Sequence, residues 1–465
     1  MKRRGKTKGA PEMRTLIKGG LVLDPANRIQ SVLNVLMEDG KIAAVTESEP
    51  EADEIVDAAG RAVAPGFIDI HMHEDPLNDD GTLYRDEERA IFNCMLRMGV
   101  TTAIGGQCGL NVHEPGEYLG VIDREGAAVN VGMFAGHAYL RESAGHGDKY
   151  SHVSEDELRA IEKHAARALD EGCLGVSFGI RYVPGIDAEE LRRAAAPCRK
   201  DGKVIAAHVR DDAAMIVPAA RELLDAGREL DVAAQVSHIG SMGGFGQMRD
   251  LLRLVDEYRI GGMDASCDCY PYTAFSTMIG STTYDDGWRE RYNCGYDAVE
   301  ICEGKYRGQR CTEEIFNEVR RENPDCLTVC YVMAEADIDM ALAHPNVMLA
   351  SDGIMNHGQG HPRAAGAFPR LFAEYVRTGK LPLYEAVRMA TVMPADKLGL
   401  KNKGRLTPGA DADVVVFDPA KIRDRATFME PVLPPEGIDS VWIGGKLAAK
   451  DCRVVDGVLG RSVRK

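Results

Sequence analysis

Short apolar runs recur through the middle of the chain, and several are separated by stretches with helical periodicity. Between residues 63 and 352 the runs are AVAPGFIDI, VTTAIGGQ, AVNVGMFAG, CLGVSFG, KVIAAHV, LDVAAQVSH, GGMDASCDCY and NVMLASDG. Alternating buried strands and amphipathic helices are typical of βα units around a parallel sheet. Eight such strands predict an α/β fold, a TIM-like (β/α)8 barrel.

The seventh and eighth runs lie too far apart for a single helix to connect them. Connections in compact domains are usually short, so we expect an insertion over about residues 275–345. Aromatic and polar residues are frequent in this segment. We therefore predict a lid subdomain over the mouth of the barrel.

Both ends of the chain are rich in strand patterns punctuated by glycine, such as TLIKGGLVLDP near the start and GADADVVVFDP near the end. Neither end has enough strands to bury its own faces. We expect the two ends to combine into one small β-sandwich domain, residues 13–64 plus 402–465, beside a catalytic barrel over residues 65–401.

Composition narrows the class of protein. The 465-residue chain has a net charge of −16, which disfavours binding to nucleic acid or to anionic lipid. It has no apolar run long enough to span a membrane, and its basic first residues lack the apolar stretch of a secretory signal. Residues 1–12 are expected to be an unstructured leader, with Met13 as an alternative start. The sequence thus predicts a cytoplasmic protein.

Cysteine usage agrees with this location. The twelve cysteines lack paired zinc-finger spacings, and a chain of this size does not need disulfide staples, so most are expected to be reduced thiols. Cys267 and Cys269 form a C-x-C pair. We interpret them as neighbouring side chains on one face of a strand, with a second metal site as the alternative.

The segment GFIDIHMH carries the strongest indication of chemistry. His71 and His73 are two residues apart, so on a strand both side chains point the same way. Active sites of barrels lie at the carboxyl ends of the strands, and imidazole is a common zinc ligand. The pair alone is weak evidence, because surface or capping histidines give the same pattern.

Further ligand-type residues end other predicted strands. His208 ends the fifth run, His238 ends the sixth thirty positions later, Asp352 ends the eighth, and Cys108 follows the second. Side chains at the carboxyl ends of barrel strands face one axial cavity. Four histidines, one thiol and one carboxylate at such positions predict a metal-dependent active site.

These segments resemble the amidohydrolase superfamily and, within it, the D-aminoacylases (N-acyl-D-amino-acid deacylases). The resemblance covers nearly the whole chain, on APGFIDIHMHED, GGQCG, LGVSFGIRYVPG, AAHVRDD, QVSHIG, CYPYTA, ASDG, HPRAAGAFPR and GRLTPGADADVVVFD. Most relatives bridge two metals through a modified lysine or a glutamate, whereas D-aminoacylases use a cysteine. Cys108 stands at the matching place, and Cys94 is interpreted as a core residue.

The resemblance implies hydrolysis of a linear amide, an N-acyl-D-amino acid, with zinc as the cofactor. Cys108, His208 and His238 would hold the tightly bound zinc, and His71 and His73 a weaker second metal. Asp352 would take a proton from the attacking water and give it to the leaving amine, and it counts among the metal-site residues. A carboxylate beside zinc is chemically suited to that task.

Two residues are candidates for holding a small anionic substrate. Arg363 follows Asp352 by eleven positions, so a short loop can bring its guanidinium over the mouth to clamp an α-carboxylate. The resemblance implies that Tyr272 gives the same carboxylate a hydroxyl. The alternative for both residues is ordinary packing.

One departure from the family pattern concerns the substrate. D-aminoacylases generally follow the sixth-strand histidine with a histidine and a lysine that contacts the substrate carboxylate, but here His238 is followed by IGSM. The insertion offers other cations, which we interpret as solvated charges of the lid unless one of them binds a side-chain carboxylate. These are Arg289, Arg291, Arg307 and Arg310.

Two other functions remain as alternatives. A cyclic amidase of the dihydroorotase or hydantoinase kind shares the barrel and mechanism but needs a bridging lysine after the fourth strand, where CLGVSFGIRY has none. An inactive scaffold protein on the same barrel is disfavoured because the ligand positions are filled. The sequence leaves open the acyl group, the number of metals and homo-oligomer formation.

Overall fold

A computed structural model describes residues 13–465, so the predicted leader lies outside the described residues. The strands, in chain order, are β1 Thr15–Asp24, β2 Ile29–Glu38, β3 Lys41–Thr46, β4 Glu54–Asp57, β5 Ala62–Pro65, β6 Phe67–Asp69, β7 Val100–Gly105, β8 Asn130–Met133, β9 Ala135–Gly136, β10 Gly175–Gly179, β11 Val204–His208, β12 Ala233–Val236, β13 Ala265–Cys269, β14 Phe275–Met278, β15 Val299–Ile301, β16 Leu327–Cys330, β17 Val347–Leu349, β18 Met355–Asn356, β19 Gln359–Gly360, β20 Val414–Phe417, β21 Ile438–Ile443, β22 Lys446–Lys450 and β23 Arg453–Val454.

The helices are α1 Ile91–Arg97, α2 Pro115–Glu125, α3 His137–Ser143, α4 Glu155–Asp170, α5 Ala188–Ala195, α6 Ile216–Leu230, α7 Ile239–Gly243, α8 Met248–Ile260, α9 Trp288–Tyr292, α10 Glu313–Glu322, α11 Glu335–Leu342, α12 Arg363–Leu371, α13 Leu383–Ala390 and α14 Val392–Leu398. Within residues 13–465, none of them has the length and apolar character needed to cross a bilayer. Neighbouring helices α4, α5, α6 and α8 pack side by side along the parallel strands.

Each of the eight apolar runs contains a strand of the parallel sheets. The strands form two sheets, β6-β7-β8 and β9-β10-β11-β12-β13-β17, and every pairing in them is parallel. The α/β class is therefore confirmed. Among the described residues the strand ladder does not close into one barrel, because the third run is interrupted at Phe134 and the first and last parallel strands are linked beyond their ends, by an isolated bridge between Met72 and Gly353.

The two ends of the chain share a separate sheet of nine strands. Its order is β23-β22-β21-β20-β5-β1-β2-β3, with β4 paired to β1. The N-terminal and C-terminal parts join where β5 pairs antiparallel with β20. Apolar side chains such as Val35, Val63, Val414 and Trp442 form a common core on it. The pairings give one sheet where the sequence predicts a two-sheet sandwich, because β5 and β20 pair edge to edge.

The long connection between β13 and β17 contains a small antiparallel sheet, β14-β16-β15, together with α9 and α10. We call residues 275–331 the insertion. An aromatic cluster that includes Tyr284, Trp288 and Phe316 packs inside it. Helix α11 lies within the range predicted for the lid, but it packs against α7, α8 and β17 in the manner of a βα unit.

Candidate metal centre

Four ligand-type side chains converge beyond the carboxyl ends of parallel strands. His71 follows β6, Cys108 follows β7, His238 follows β12 and Asp352 follows β17. One donor atom from each lies within 4.8 Å of the others, and all four residues are buried. The Cys108 Sγ atom is 3.2 Å from His238 Nε2 and 3.4 Å from His71 Nε2. The structure thus brings these four predicted site residues into one cluster.

Three members of this cluster have unusual backbone conformations. The φ angles of Cys108, His238 and Asp352 are 54°, 29° and 49°. Residues other than glycine rarely adopt positive φ, and such conformations concentrate at functional sites. They are held here by hydrogen bonds: the Asp352 N–H donates to the carbonyl of His71 at 2.8 Å. The sharp turns point the side chains toward a common centre.

The loop that carries Cys108 requires glycine beside it. Gly106 has φ +69°, and a Cβ atom there would lie 2.1 Å from the carbonyl oxygen of Phe134. Its N–H donates to the Glu74 carboxylate at 2.8 Å. The N–H of the glycine after Cys108 donates to Ser177 Oγ at 3.0 Å. The glycine-rich motif therefore sets the position of the thiol between two strands.

The other two predicted histidines lie at the edge of the cluster. His73 Nε2 is 3.3 Å from Asp352 Oδ1. The ring of His208 packs 4.6 Å from that of His238, centroid to centroid, yet His208 is outside the four-residue group. Neither ring nitrogen of His208 makes a well-formed hydrogen bond with the described residues. A buried imidazole in that state has lone-pair and N–H capacity left for a ligand.

Asp268 is a site residue that the sequence analysis missed. Its Oδ1 atom is 3.4 Å from His71 Nδ1 and accepts a hydrogen bond from the His238 N–H at 2.8 Å. It lies on β13 between Cys267 and Cys269. Side chains alternate along a strand, so an acid inside a C-x-C pattern points to the opposite face from the cysteines. In the sequence, this alternation was the feature that could have identified Asp268 as a site residue.

Two further polar residues support the histidines. Asp212 Oδ1 is 3.3 Å from His208 Nε2, and Asp212 also accepts a hydrogen bond from the Tyr292 hydroxyl at 2.5 Å. Ser241 Oγ is 2.9 Å from His238 Nδ1. Groups on the far nitrogen of a ligating histidine fix its ring orientation and tautomer. Tyr292 belongs to the insertion, so the insertion takes part in holding the site.

The electrostatics favour the anionic forms of the thiol and the carboxyl. Burial opposes ionisation of Cys108, but His238 and His71 outweigh it and hold the pKa of the thiol well below its usual value. Burial likewise opposes ionisation of Asp352, but Arg363 and His238 hold the pKa of that carboxyl far below its usual range. Burial opposes charge on His71, yet Asp268 and Cys108 raise the pKa of its imidazole well above the ordinary value.

This donor set fits a zinc ion. Zinc is bound in proteins by thiolate, imidazole and carboxylate, and these ligands must be unprotonated at the donor atom. The cluster offers all three types on buried residues whose donor atoms are close enough to share one ion. The low pKa of Cys108 supplies the thiolate form. All twelve cysteines lie within the described residues and are free thiols, which agrees with the sequence analysis.

The two residues predicted to bind substrate make protein contacts that the sequence analysis did not predict. Arg363 is the first residue of α12 and is 1% exposed; its Nη1 atom lies 2.8 Å from Asp352 Oδ2, and its guanidinium covers the Tyr270 ring. It lies in the wall of the site and is paired with the aspartate, whereas a loop over the mouth was predicted. The Tyr272 hydroxyl donates a long hydrogen bond to Asp424 Oδ2, at 3.4 Å.

A cavity of about 270 Å³ opens above the cluster. His73, Cys108, Asp352 and Arg363 line its inner part. The insertion supplies much of the rest of the wall. The lining residues from the insertion are Ser276, Thr277, Met278, Gly280, Ser281, Thr282, Pro324 and Asp325. The cavity is therefore large enough for a small molecule that reaches the cluster.

Comparisons with known proteins agree with this architecture. Residues 330–449 match the family model described as Amidohydrolase family. The chain is 33% identical to a D-aminoacylase of Alcaligenes xylosoxydans xylosoxydans, over 92% of this chain and 93% of the relative. A dihydroorotase of Aquifex aeolicus is more distant, at 24% identity over 88% of this chain and 90% of the relative.

Solved structures give the same result. A crystal structure of a D-aminoacylase superposes with a TM-score of 0.87 at 31% identity, covering 97% of this chain and 100% of the other. An N-acyl-D-glutamate deacylase from Bordetella bronchiseptica, complexed with zinc and a phosphonate inhibitor, superposes with a TM-score of 0.86 at 29% identity, covering 98% of this chain and all of that one. By sequence and structure, this chain belongs to the D-aminoacylase family of amidohydrolases.

Proposed function

We propose that this protein is a zinc-dependent hydrolase that deacylates N-acyl-D-amino acids to a D-amino acid and a carboxylate. One observation carries the proposal: His71, Cys108, His238 and Asp352 meet in one buried cluster at the inner end of a cavity. The relatives named above support the substrate class.

The proposed ligands follow from the donor set. Cys108, His208 and His238 would hold the tightly bound zinc, and His71 and His73 a weaker second metal, with Asp352 beside both. The support is the contact of Cys108 with His238 and the position of His208, whose buried ring packs 4.6 Å from that of His238 and lies beside Asp212. Bound zinc would act as a Lewis acid on the amide carbonyl and make water a nucleophile at neutral pH.

Asp352 would move the proton. Its carboxylate stays ionised at neutral pH, because Arg363 and the neighbouring histidines outweigh the effect of burial on its pKa. Oδ1 faces His71 and His73, and Oδ2 faces Arg363. An oxygen on the metal side can accept the proton of the attacking water and later donate it to the leaving nitrogen. Arg363 would hold the carboxylate in that orientation, as a positioning residue.

We also propose that the two parallel sheets act as one eight-stranded barrel, with β8 and β9 as its third strand. The Phe134 N–H donates to the Gly105 carbonyl at 3.0 Å, which continues the pairing of β7 across the interruption. The bridge between Met72 and Gly353 links the first and last strands beside the metal centre. Three further points stay predictions. They are the division into a barrel and a terminal β-domain, a cytoplasmic location and the formation of a homo-oligomer.

The alternatives have less support. A cyclic amidase would need a bridging lysine, and β10 and the residues around it, CLGVSFGIRY, contain none. An inactive scaffold would not need a filled and convergent ligand set. Metal content and activity separate the three possibilities.

The test is a substrate panel. The zinc-loaded protein would be assayed for release of free amine from N-acetyl and N-formyl derivatives of D- and L-amino acids, with dihydroorotate and hydantoins as cyclic controls. We expect turnover of the D-series only. Turnover of cyclic amides alone would favour the cyclic amidase. A preference for L-substrates would contradict the proposed specificity for D-amino acids but not the proposed hydrolase activity. A protein without zinc and without activity after zinc is added would be a scaffold.

A further inference from the structure

Glu74 is a buried carboxylate that the proposed mechanism does not use. It is 8% exposed, and within residues 13–465 no lysine or arginine forms an ion pair with it. Burying a carboxylate without a countercharge costs free energy unless hydrogen bonds replace its contacts with water. Its Oε2 atom accepts a hydrogen bond from the Gly106 N–H at 2.8 Å, and its Oε1 atom accepts one from the Asn111 side-chain amide at 3.5 Å. Both donors lie in the loop around Cys108.

The carboxylate of Glu74 fits closely against this loop. A Cβ atom on Gly105 would lie 2.6 Å from Glu74 Oε2 and 2.9 Å from Met133 Sδ. Only glycine therefore leaves room for the carboxylate to reach the backbone N–H of the next residue. The contact between Glu74 and the loop thus depends on the glycine-rich motif that precedes Cys108.

Ser177, on β10, holds the same loop from another strand. Its hydroxyl donates to the Gly106 carbonyl at 2.5 Å and accepts a hydrogen bond from the Gly109 N–H at 3.0 Å. Gly106 is therefore held at its N–H by Glu74 and at its carbonyl by Ser177. Because Cys108 lies two residues further on, these contacts limit where its backbone can go.

Asn111 extends the network to the interrupted third run. Its side-chain amide donates to the Phe134 carbonyl at 3.2 Å, and its Oδ1 atom accepts a hydrogen bond from the Gly136 N–H at 2.6 Å. The side chain that contacts Glu74 thus also bridges the break between β8 and β9. The Cys108 loop is thereby tied to the first and the third strand runs.

Small movements of this loop matter because Cys108 is closely surrounded. Its φ angle is 54°, and its Sγ atom lies 3.2 Å from His238 Nε2 and 3.4 Å from His71 Nε2. Bonds between a metal and its ligands stay within about 0.2 Å of their preferred lengths. A thiolate that shifts by more than this loses part of its interaction with zinc.

We infer that Glu74 is a positioning residue for Cys108, and that it sets the direction of the thiolate through the Gly106 N–H. The inference rests on the proposed function, because that function makes Cys108 a zinc ligand. Glu74 lies outside the four-residue cluster, so it acts through the loop. Replacing a group that orients a metal ligand typically lowers metal affinity by about 10- to 100-fold.

The test compares Glu74→Leu, Glu74→Gln and the wild type after zinc is replaced by Co²⁺. A thiolate bound to Co²⁺ gives a near-ultraviolet absorption band by charge transfer from sulfur, so the band reports the geometry of Cys108. Glu74→Leu cannot accept the Gly106 N–H. We therefore expect a weaker band and a zinc affinity lowered about 10- to 100-fold in titrations with a competing chelator. Glu74→Gln keeps an acceptor oxygen without the charge, so it should restore the band and most of the zinc affinity.

Glu190→Leu is the matched control, since it removes another buried glutamate, which pairs with Arg141 at 2.9 Å. It should lower Tm and leave the cobalt band unchanged. Where Glu74→Leu does not fold, Glu74→Ala, which adds no bulk, takes its place with the same expected result.

An unchanged band and an unchanged zinc affinity in Glu74→Leu would overturn the inference, and so would an equal loss in Glu190→Leu. Equal losses in Glu74→Leu and Glu74→Gln would mean that the charge acts rather than the hydrogen bond, which also overturns it. A wild type without the band would exclude Cys108 as a ligand, and the inference with it. If the zinc-loaded wild type turns over no N-acyl-D-amino acid, the proposed function fails, while the band and the chelator titration still decide the role of Glu74.

Discussion

At the scale of single residues, Asp352 is held by contacts on both of its carboxylate oxygens. One of its oxygens faces two histidines and the other faces Arg363, and its backbone has a positive φ. A side chain held from both directions is pre-organised for proton transfer in one geometry.

Replacing Asp352 by Asn should therefore leave zinc bound and lower kcat by about 10²- to 10⁴-fold, since an amide cannot accept the proton while the other donors remain. Metal analysis and initial rates would check this. Asp325→Asn, on the same cavity wall, is the control and should keep kcat near the wild-type value. An Asp352→Asn protein with nearly full turnover would contradict the assigned role.

Cys108 is the residue that distinguishes this site from an all-histidine site. Replacing it by Ala removes the thiolate that His238 and His71 stabilise, so the apparent zinc affinity should fall at least about 100-fold. Zinc titration with a competing chelator measures the change. Cys198→Ala, at a buried core cysteine whose thiol donates a long hydrogen bond to the Val204 carbonyl at 3.9 Å, is the control. Full zinc affinity in Cys108→Ala would exclude Cys108 as a ligand.

At the scale of elements, the apolar pattern predicted where the strands lie. It predicted much less of how the strands pair and where they are interrupted. All eight runs hold strands of the parallel sheets, because a run of buried β-formers is itself evidence of a strand. The break at Phe134 and the edge-to-edge joining of β5 with β20 depend on strands that lie far away along the chain. The run pattern does not contain that information.

Helix α14 is anchored by a buried lysine, Lys397. Lys397 Nζ donates to the carbonyls of Ala234 and Asp264 at 3.0 and 2.9 Å, and burial lowers the pKa of its ammonium to about 8. Between pH 8 and 10.5 the folded state has lost a proton that the unfolded state still binds. The contribution of Lys397 to the free energy of unfolding therefore rises with pH across that window, and below pH 8 this contribution is constant.

The variant Lys397→Met should lack this rise. Relative to the variant, the wild type should gain up to about 3 kcal/mol in free energy of unfolding between pH 7.5 and pH 10. Urea denaturation of both proteins at the two pH values gives the difference, from which titrations of shared tyrosines and cysteines cancel. Identical pH dependence in both proteins would show that Lys397 keeps an ordinary pKa. Lys200→Met, at a lysine whose side chain is 77% exposed, should follow the wild type.

At the scale of the whole molecule, the metal centre links distant parts of the chain. His71 and Asp352 are adjacent in space at the meeting of the first and last parallel strands, with the insertion supporting His208 through Tyr292 and Asp212. A ligand that binds only the folded state stabilises all of these contacts together.

Removal of zinc should therefore lower Tm by several degrees and abolish activity, and added zinc should restore both; at a thousandfold excess over Kd, binding contributes about 4 kcal/mol. A thermal-shift titration after chelation measures this. Cys108→Ala should respond to zinc much less at the same concentrations. A wild-type Tm that does not change with zinc would mean that no such linkage exists.

The sequence by itself determined which segments become strands and which ligand-type residues end them, because burial and strand alternation are local properties. It placed His71, Cys108, His238 and Asp352 at strand ends, where the structure brings them together. Only the tertiary structure decided the pairing of Arg363 with Asp352, the contacts of Asp268 and the contact of Tyr272 with Asp424. Those contacts join residues distant in sequence, and their distances depend on how whole elements pack.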